Sequence, residues 1–316
     1  MNDDAISKLK QSLRGALIGR ADAEYDEARK LYNGMIDKRP LLIAKCADQA
    51  DVIAVVNFGR DQKLPIAIRG GGHNGPGLGS VEDGLVIDLS MMTGVRVDPA
   101  RRTARVGPGC VTGEVDHATH AFGQAVPFGI ISTTGVAGLT LSGGHGYLSR
   151  QYGLAVDNLL EADVVLADGS FVAASATENA DLFWALRGGG GNFGVVTSFL
   201  FRTNPCGMVY AGPLVFELEQ SRGVMQWYRD FMLRSSDEFY IFLGLQAIPA
   251  HDPFPKDHWN KKVCVLLVAH NGPPADAERA VKAIRAELPK PIIDWAQPMP
   301  YPALQSMFDA LYPKGL

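Results

Sequence analysis

Cysteine is scarce in this chain. Cys46, Cys110, Cys206 and Cys264 stand 58 to 96 residues apart, a spacing that fits neither a zinc site nor a disulfide-stapled scaffold. Long apolar runs are missing as well. The longest is Val263 to Ala269, far short of the roughly 20 residues that a membrane-spanning helix needs. Nor is there an excess of positive charge. Thirty Lys and Arg face 34 Asp and Glu, for a net charge of −4, which removes the electrostatic footprint of a nucleic-acid binder. Asp3, Asp4, Lys8, Lys10, Arg14 and Arg20 have no apolar block between them, so no secretory leader is legible and a cytoplasmic address is expected. The Walker phosphate loop is absent. The dinucleotide fingerprint is matched at Gly70, Gly72 and Gly75, but Pro76 follows where a helix should be running. Around Ser142 the Gly-x-Ser-x-Gly frame of a nucleophile elbow is lacking, which sets hydrolase chemistry aside.

What remains is a soluble globular composition, 47% hydrophobic and 20% charged over 316 residues, long enough for two domains. Glycine is the excess. Thirty-five residues are glycine, above the usual share of about 7%. Eighteen of them fall in three stretches, residues 70–79, 129–153 and 188–194. Clustering of that kind means that the backbone itself must approach something closely.

Periodicity places these stretches. Ala5, Ile6, Leu9 and Leu13 have helical spacing, 41–44 reads as a strand, and Asp48 caps a helix running to about Asp61. A strand at 64–68 then runs directly into Arg69-Gly-Gly-Gly-His73, and a strand–helix–strand unit that delivers a glycine loop suits an anion cradle. Short strands follow at 85–89, 95–97 and 103–106, then a helix from Thr112 to about Phe122. Strands at 159–166 and 171–174 flank the Asp168-Gly169 turn, a hairpin signal. A short helix from Asp181 precedes the Gly188–Gly191 loop and a strand at 195–201. Beyond Gly207 the glycine excess ends, and strand, helix, strand, strand and helix are expected at 209–216, 223–232, 239–247, 262–269 and 276–287. The domain boundary is placed near 206.

Several side chains invite chemistry. His73 reads either as a loop histidine bonded to backbone or as a nucleophile toward an electrophilic cofactor carbon, and spacing leaves both open. His117 and His120, with Glu114 and Asp116, have metal-ligand spacing on a helix, although such a charged face is ordinarily solvated. His251, His258 and His270 are expected in a loop without ligand spacing. Phe183, Trp184 and Leu186 are expected in the core.

Four segments carry a family resemblance. They are Arg69-Gly-Gly-Gly-His-Asn74, the long run from Phe128 through Ser132-Thr-Thr-Gly-Val-Ala-Gly-Leu-Thr-Leu-Ser-Gly-Gly-His-Gly-Tyr147, Leu148-Ser-Arg-Gln-Tyr-Gly-Leu-Ala-Val-Asp-Asn158 and Gly188-Gly-Gly-Gly-Asn-Phe-Gly-Val-Val196. In this order, over residues 40 to 202, the chain resembles the FAD-binding family of vanillyl-alcohol oxidase and p-cresol methylhydroxylase. Within it the bacterial berberine-bridge-enzyme-like branch is the nearest in pattern. The fold class implied is α+β: a two-subdomain FAD-binding domain over residues 1–206, with its core at 38–204, and a partial α+β substrate domain over 207–316. In the family the histidine of the first segment is bonded to the flavin 8α-methyl carbon, so the resemblance implies FAD tethered through His73. The second, cysteinyl link of many members is not expected, because Gly129-Ile130-Ile131 puts isoleucine at its place.

The cofactor-binding residues implied are Arg69, Gly70, Gly71, Gly72, His73, Asn74, Thr133, Thr134, Gly135, Gly138, Leu139, Gly143, Gly144, His145, Gly146, Tyr147, Asn158, Val195 and Val196. Tyr147 is also the candidate catalytic tyrosine, weighed against a packing role under the flavin. The reaction implied is that of an FAD-dependent oxidoreductase. A carbon bearing oxygen or nitrogen in a small-molecule substrate loses a hydride to flavin N5, and oxygen takes the electrons. Relatives continue into a further C-terminal segment, so a C-terminally incomplete substrate domain is expected. A flavin-binding protein with little turnover and a flavin subunit of an electron-transfer complex are the alternative readings.

Overall fold

Apolar residues on both faces of a short, mainly parallel sheet organise the beginning of the chain. The computed structural model describes residues 3–315. Two compact units divide it: Met1–Gly146, Gly153–Pro205 and Gln305–Leu316 form the first, Tyr147–Tyr152 and Cys206–Leu304 the second.

In the first unit α1 (Asp3–Ser12) precedes β1 (Ala16–Gly19), α2 (Tyr25–Ala28) and β2 (Leu42–Lys45), and α3 (Gln49–Asp61) leads to β3 (Ile66–Arg69) and β4 (Leu85–Asp88). The strands pair in the order β1-β2-β4-β3, with β2 and β3 parallel to β4 and β1 antiparallel to β2. Strand alternation assigns the faces. Leu42, Ala44, Leu85 and Ile87 cluster with Val52, Val55 and Val56 of α3, while Ile43, Ala67 and Val86 cluster with Ile18 and Tyr25. Parallel strands buried on both sides read as continuous apolar runs, which is why 85–89 stands out in the sequence. Helix α3 begins as expected because an Asp48 carboxylate oxygen accepts the Asp51 N–H at 3.1 Å, satisfying a donor the helix leaves free. The sheet delivers the first glycine stretch at the end of β3.

The chain continues through β5 (Val95–Asp98), β6 (Thr103–Val106), α4 (Thr112–His120), β7 (Gln124–Ala125), α5 (Val136–Leu141), α6 (Ser149–Tyr152), β8 (Leu159–Val165), β9 (Phe171–Ser175), α7 (Ala180–Gly189), β10 (Val195–Arg202) and β11 (Asn204–Pro205). A second sheet of this unit, β5-β6-β10-β8-β9, is antiparallel throughout. Its buried face gathers Val106, Phe128, Ala162, Val164, Phe199 and Phe201 with Val115 of α4, Ala137 and Leu141 of α5, and Phe183 and Leu186 of α7. The Asp168-Gly169 turn forms, with Gly169 at φ +85° and Val165 opposite Phe171. One expectation fails on this sheet. Phe183 is 6% exposed and Leu186 fully buried, but Trp184 is 78% exposed. Residues one apart on a helix lie about 100° apart around its axis, so a helix that buries 183 and 186 turns 184 to solvent.

The second unit holds β12 (Met208–Glu217), α8 (Ser221–Arg234), β13 (Phe239–Ala247), β14 (Lys262–His270), α9 (Pro274–Glu287), β15 (Ile293–Asp294), β16 (Gln297–Pro300) and most of α10 (Tyr301–Gln305). Its sheet runs β13-β14-β12-β15, with β16 also on β12 and every pairing antiparallel. The apolar run Val263–Ala269 is the interior strand β14. Cys264, Leu266 and Val268 meet Val224 and Phe231 of α8 and Val281 and Ile284 of α9, while Val263 and Val265 meet Val215, Ile248 and Ile293 on the other face. His270 ends this strand, 5% exposed, and so lies in a sheet and not in the expected loop. Helix α6 is anchored in this unit by Arg150, which donates to Ser235 Oγ at 2.8 Å and to the Phe239 carbonyl at 3.0 Å. Among the described residues no helix is long and apolar enough to cross a membrane.

Candidate functional site

The three glycine stretches, distant in sequence, line one cavity of about 730 Å³ in the first unit. Residues 66–74 enter from β3 and the loop after it, 134–142 from α5 and the loop before it, and 188–196 from the junction of α7 with β10. Where backbone meets backbone, glycine is obligatory. A Cβ on Gly71 would stand 2.5 Å from the Gly135 nitrogen, and one on Gly135 would stand 2.3 Å from the Gly71 nitrogen. Helix α4 holds the second of these loops. The N–H groups of Thr112 and Gly113 donate to the carbonyls of Thr134 and Ser132, both at 2.9 Å. Glu114 reaches back to the Val111 N–H at 2.9 Å, satisfying a donor at the N-terminus of α4.

Elsewhere in the cavity wall glycine leaves room. A Cβ on Gly138, Gly188 or Gly190 would meet nothing within 4 Å, so the absent side chains are cavity space. Of the sequence-predicted residues, Arg69, Gly70, Gly71, Gly72, His73, Asn74, Thr134, Gly135, Gly138, Leu139 and Val196 line the cavity. Thr133, Gly143, Gly144, His145, Gly146, Tyr147, Asn158 and Val195 are not among its lining. Several of these have structural work elsewhere. A Cβ on Gly146 would lie 2.0 Å from the Phe128 carbonyl oxygen, and Gly143 and Gly144 have φ of +109° and +79°. Asn158 donates to the Leu154 carbonyl at 2.9 Å and accepts from Asn204 at 3.0 Å. Val195 is buried in the core of the parallel sheet. Tyr147 belongs to the second unit, edge-on to Tyr240 with ring centroids 5.5 Å apart.

The lining carries little charge. Arg69 is its one formally charged residue among those described, and that guanidinium is engaged below the wall. It donates to Asp88 Oδ2 and to the Ala28 carbonyl, each at 2.7 Å, with both ion-pair side chains 6% exposed. Arg69 therefore clamps the base of the glycine loop to β4. His73 is half-buried, and burial lowers its pKa below the ordinary histidine value, opposed by a hydrogen bond to the Thr133 backbone and by the Asp309 carboxylate. Such an imidazole is neutral at pH 7 and keeps a lone pair on one ring nitrogen.

The sequence pattern misses part of this site. Ala137, Ser142 and Asn192 line the cavity, as do Gly188–Gly191; the last are legible as a cluster, though not assigned to cofactor binding. Tyr32, stacked on His73 with centroids 3.8 Å apart, leaves no signal, because nothing in the pattern joins positions 32 and 73. The residues with metal-ligand spacing on α4 do not share a face: Asp116 points inward, fully buried, and accepts from Gln305 at 3.0 Å, while His117 is exposed.

A family model described as FAD binding domain matches residues 40–175. The (R)-6-hydroxynicotine oxidase of Paenarthrobacter nicotinovorans is 36% identical over 242 residues, which cover 74% of this chain and 52% of that protein. The crystal structure of 6-hydroxy-D-nicotine oxidase from Arthrobacter nicotinovorans matches at a TM-score of 0.86 and 30% identity, over 96% of this chain and 66% of the other. Glucooligosaccharide oxidase from Acremonium strictum, a protein described with a 6-S-cysteinyl, 8α-N1-histidyl FAD, matches at a TM-score of 0.81 and 25% identity, over 96% and 62%. The chain spans between 52% and 66% of the length of such relatives. By sequence and by fold alike, it belongs to the vanillyl-alcohol-oxidase and p-cresol-methylhydroxylase family of FAD-linked oxidoreductases, together with the 6-hydroxynicotine and berberine-bridge-enzyme-like oxidases.

Proposed function

We propose that the protein is an FAD-dependent oxidase whose flavin occupies the glycine-walled cavity and is tethered through His73. The observation that carries this reading is the convergence of all three glycine stretches on one cavity with a neutral histidine in its wall. The residues fit the group. The open positions above Gly138, Gly188 and Gly190 admit a flat ligand against the backbone, and a volume of about 730 Å³ lies within the range of roughly 300–1,000 Å³ common for cofactor sites. Gly70 to Asn74, Thr134, Gly135 and Gly188 to Gly191 would hold it through backbone groups and small side chains.

Bound there, the flavin supplies a two-electron acceptor for a hydride leaving a carbon that bears oxygen or nitrogen. The chain supplies the rest: walls that exclude water, a fixed position for the ring system, and a neutral imidazole beside it. Relatives named for oxidation of hydroxynicotine and of xylooligosaccharide support a small alcohol, amine or sugar as substrate and oxygen as the acceptor.

The test is acid precipitation followed by absorbance and peptide mass analysis. Flavin is expected on the peptide that contains His73 and is expected to leave the pellet in His73→Ala; colourless protein that binds no FAD overturns the reading. A second variant separates the cavity from the fold. Gly138→Ala adds a methyl group in open space on a helix, so its melting temperature should hold or rise, Ala being favoured over Gly by about 1 kcal/mol. FAD affinity should fall about tenfold as the cavity narrows.

A further inference from the structure

An aromatic ring outside the cavity lining covers one face of His73. Tyr32 lies face to face with the imidazole, with centroids 3.8 Å apart and planes 21° from parallel. Tyr32 is held at three points. Its N–H donates to the Gly72 carbonyl at 3.2 Å, which ties it to the residue before His73, and its carbonyl accepts the Gly315 N–H at 2.8 Å. Its hydroxyl donates to the Tyr312 carbonyl. The Thr133 backbone approaches the imidazole from another direction and raises its pKa against the effect of burial. That loop is braced in turn. The Asp309 carboxylate accepts the Ser132 N–H at 3.1 Å and also the Ser132 hydroxyl. Face and edge of one imidazole are thus gripped by segments some 40 and 60 residues away along the chain.

We propose that Tyr32 is a positioning residue for the covalent tether, stacking on His73 so that the nitrogen carrying the lone pair is the one offered to the flavin 8α-carbon. The inference rests on the histidyl link proposed above. A histidine side chain left to itself turns freely about its last torsion, which is broad and roughly two-fold, and so presents the wrong edge for much of the time. In neutral imidazole one nitrogen donates and the other accepts. The Thr133 backbone beside the ring raises the imidazole pKa, the sense of a ring N–H facing a carbonyl. The stack opposes flipping of the ring, so the remaining nitrogen is the one offered as nucleophile. In the bond-forming step that nitrogen joins the 8α-carbon. The nitrogen lone pair makes the new bond while a C–H bond of the 8α-carbon breaks. That hydrogen leaves as a proton, and the imidazole releases its ring proton. The two electrons of the broken bond pass with these two protons to molecular oxygen, giving hydrogen peroxide.

The experiment follows attachment apart from binding. Protein carrying the parent sequence, Tyr32→Phe and Tyr32→Leu is incubated with FAD in air. Total bound flavin after gel filtration is compared with flavin that survives acid precipitation over time. Tyr32→Phe keeps the ring and should attach flavin within about twofold of the parent rate. Tyr32→Leu should bind as much flavin but attach it about five- to tenfold more slowly, the range that loss of one aromatic stack allows. Where leucine impairs folding, Tyr32→Met serves in its place. The proposal is overturned if the leucine variant attaches at the parent rate, or if phenylalanine slows attachment as much as leucine does. It is equally overturned if bound and attached flavin fall in the same proportion, since Tyr32 then supports the cavity and not the tether. Parent protein that binds FAD but never holds it through acid defeats the histidyl link itself, a result distinct from these.

Discussion

Two aspartates show what burial does when a cation accompanies it and when none does. Asp88 is 4% exposed and meets Arg69 at 2.7 Å. Asp116 is fully buried, and its hydrogen-bond partner is the Gln305 amide at 3.0 Å. Its other carboxylate oxygen and the Gln305 carbonyl oxygen are both buried acceptors without a partner. Desolvation pushes the Asp116 pKa up to about 7, a rise that the Gln305 bond only partly opposes. Because the folded value lies above the unfolded one near 3.8, the proton on Asp116 favours the fold at acid pH. That contribution is fully present below about pH 3.8, drains away as pH rises, and is gone above about 7. Asp116→Asn keeps a donor for the orphaned Gln305 oxygen and carries no charge at any pH. Its gain over the parent should be near zero at pH 4 and on the order of 2–4 kcal/mol at pH 8. Urea unfolding at the two pH values reads this directly; parallel curves at both would refute it. Removing the cation's partner has the opposite sense. Asp88→Ala leaves the Arg69 charge buried alone and should cost about 3–5 kcal/mol, visible as a large fall in the urea midpoint.

At the scale of elements, the glycine loops divide into two kinds that composition does not separate. Gly71 and Gly135 face one another across two loops, each blocking a side chain on the other, whereas Gly138 faces open cavity. A methyl group at 135 must therefore move backbone and not side chain. Gly135→Ala is expected to cost about 2 kcal/mol or more and to lose FAD binding together with stability. In Gly138→Ala the two properties part company. Comparing the melting temperature and FAD titration of these variants places each glycine in its class. The helices and strands themselves are largely legible in the sequence. The cap at Asp48, the Asp168-Gly169 turn and the apolar strand 262–270 are local signals, each complete within a few residues. Trp184 departs from expectation because its two apolar neighbours on the helix fill the core and leave it the solvent side.

For the molecule as a whole, the change of unit at Pro205 and Cys206 coincides with the end of the glycine excess, but two segments leave their neighbours. Tyr147–Tyr152 is part of the second unit and Gln305–Leu316 part of the first. Ligand binding to one unit should register on this division. Hydrogen exchange with and without saturating FAD is expected to show the greatest new protection in residues 66–79, 134–142 and 188–196. At a hundred times Kd the bound cofactor should stabilise the first unit by about 2.7 kcal/mol. Protection centred instead on β14 would remove the cavity from consideration.

The local sequence was enough to specify most of the longer helices and strands, the concentration of glycine in three stretches and the motif that resembles a flavin-tethering loop; β1, α2, α5 and α6 left no such signal. The legible features depend on side-chain periodicity and on the special freedom of glycine, which act within a few residues. Only the folded chain decided that the three stretches share a cavity and which glycines face it. It also decided that Arg69 spends its charge on Asp88 and that Tyr32 covers His73. Such pairings join positions far apart along the chain, and they arise from how sheets and helices close their apolar faces, for which no short stretch of residues carries a signal.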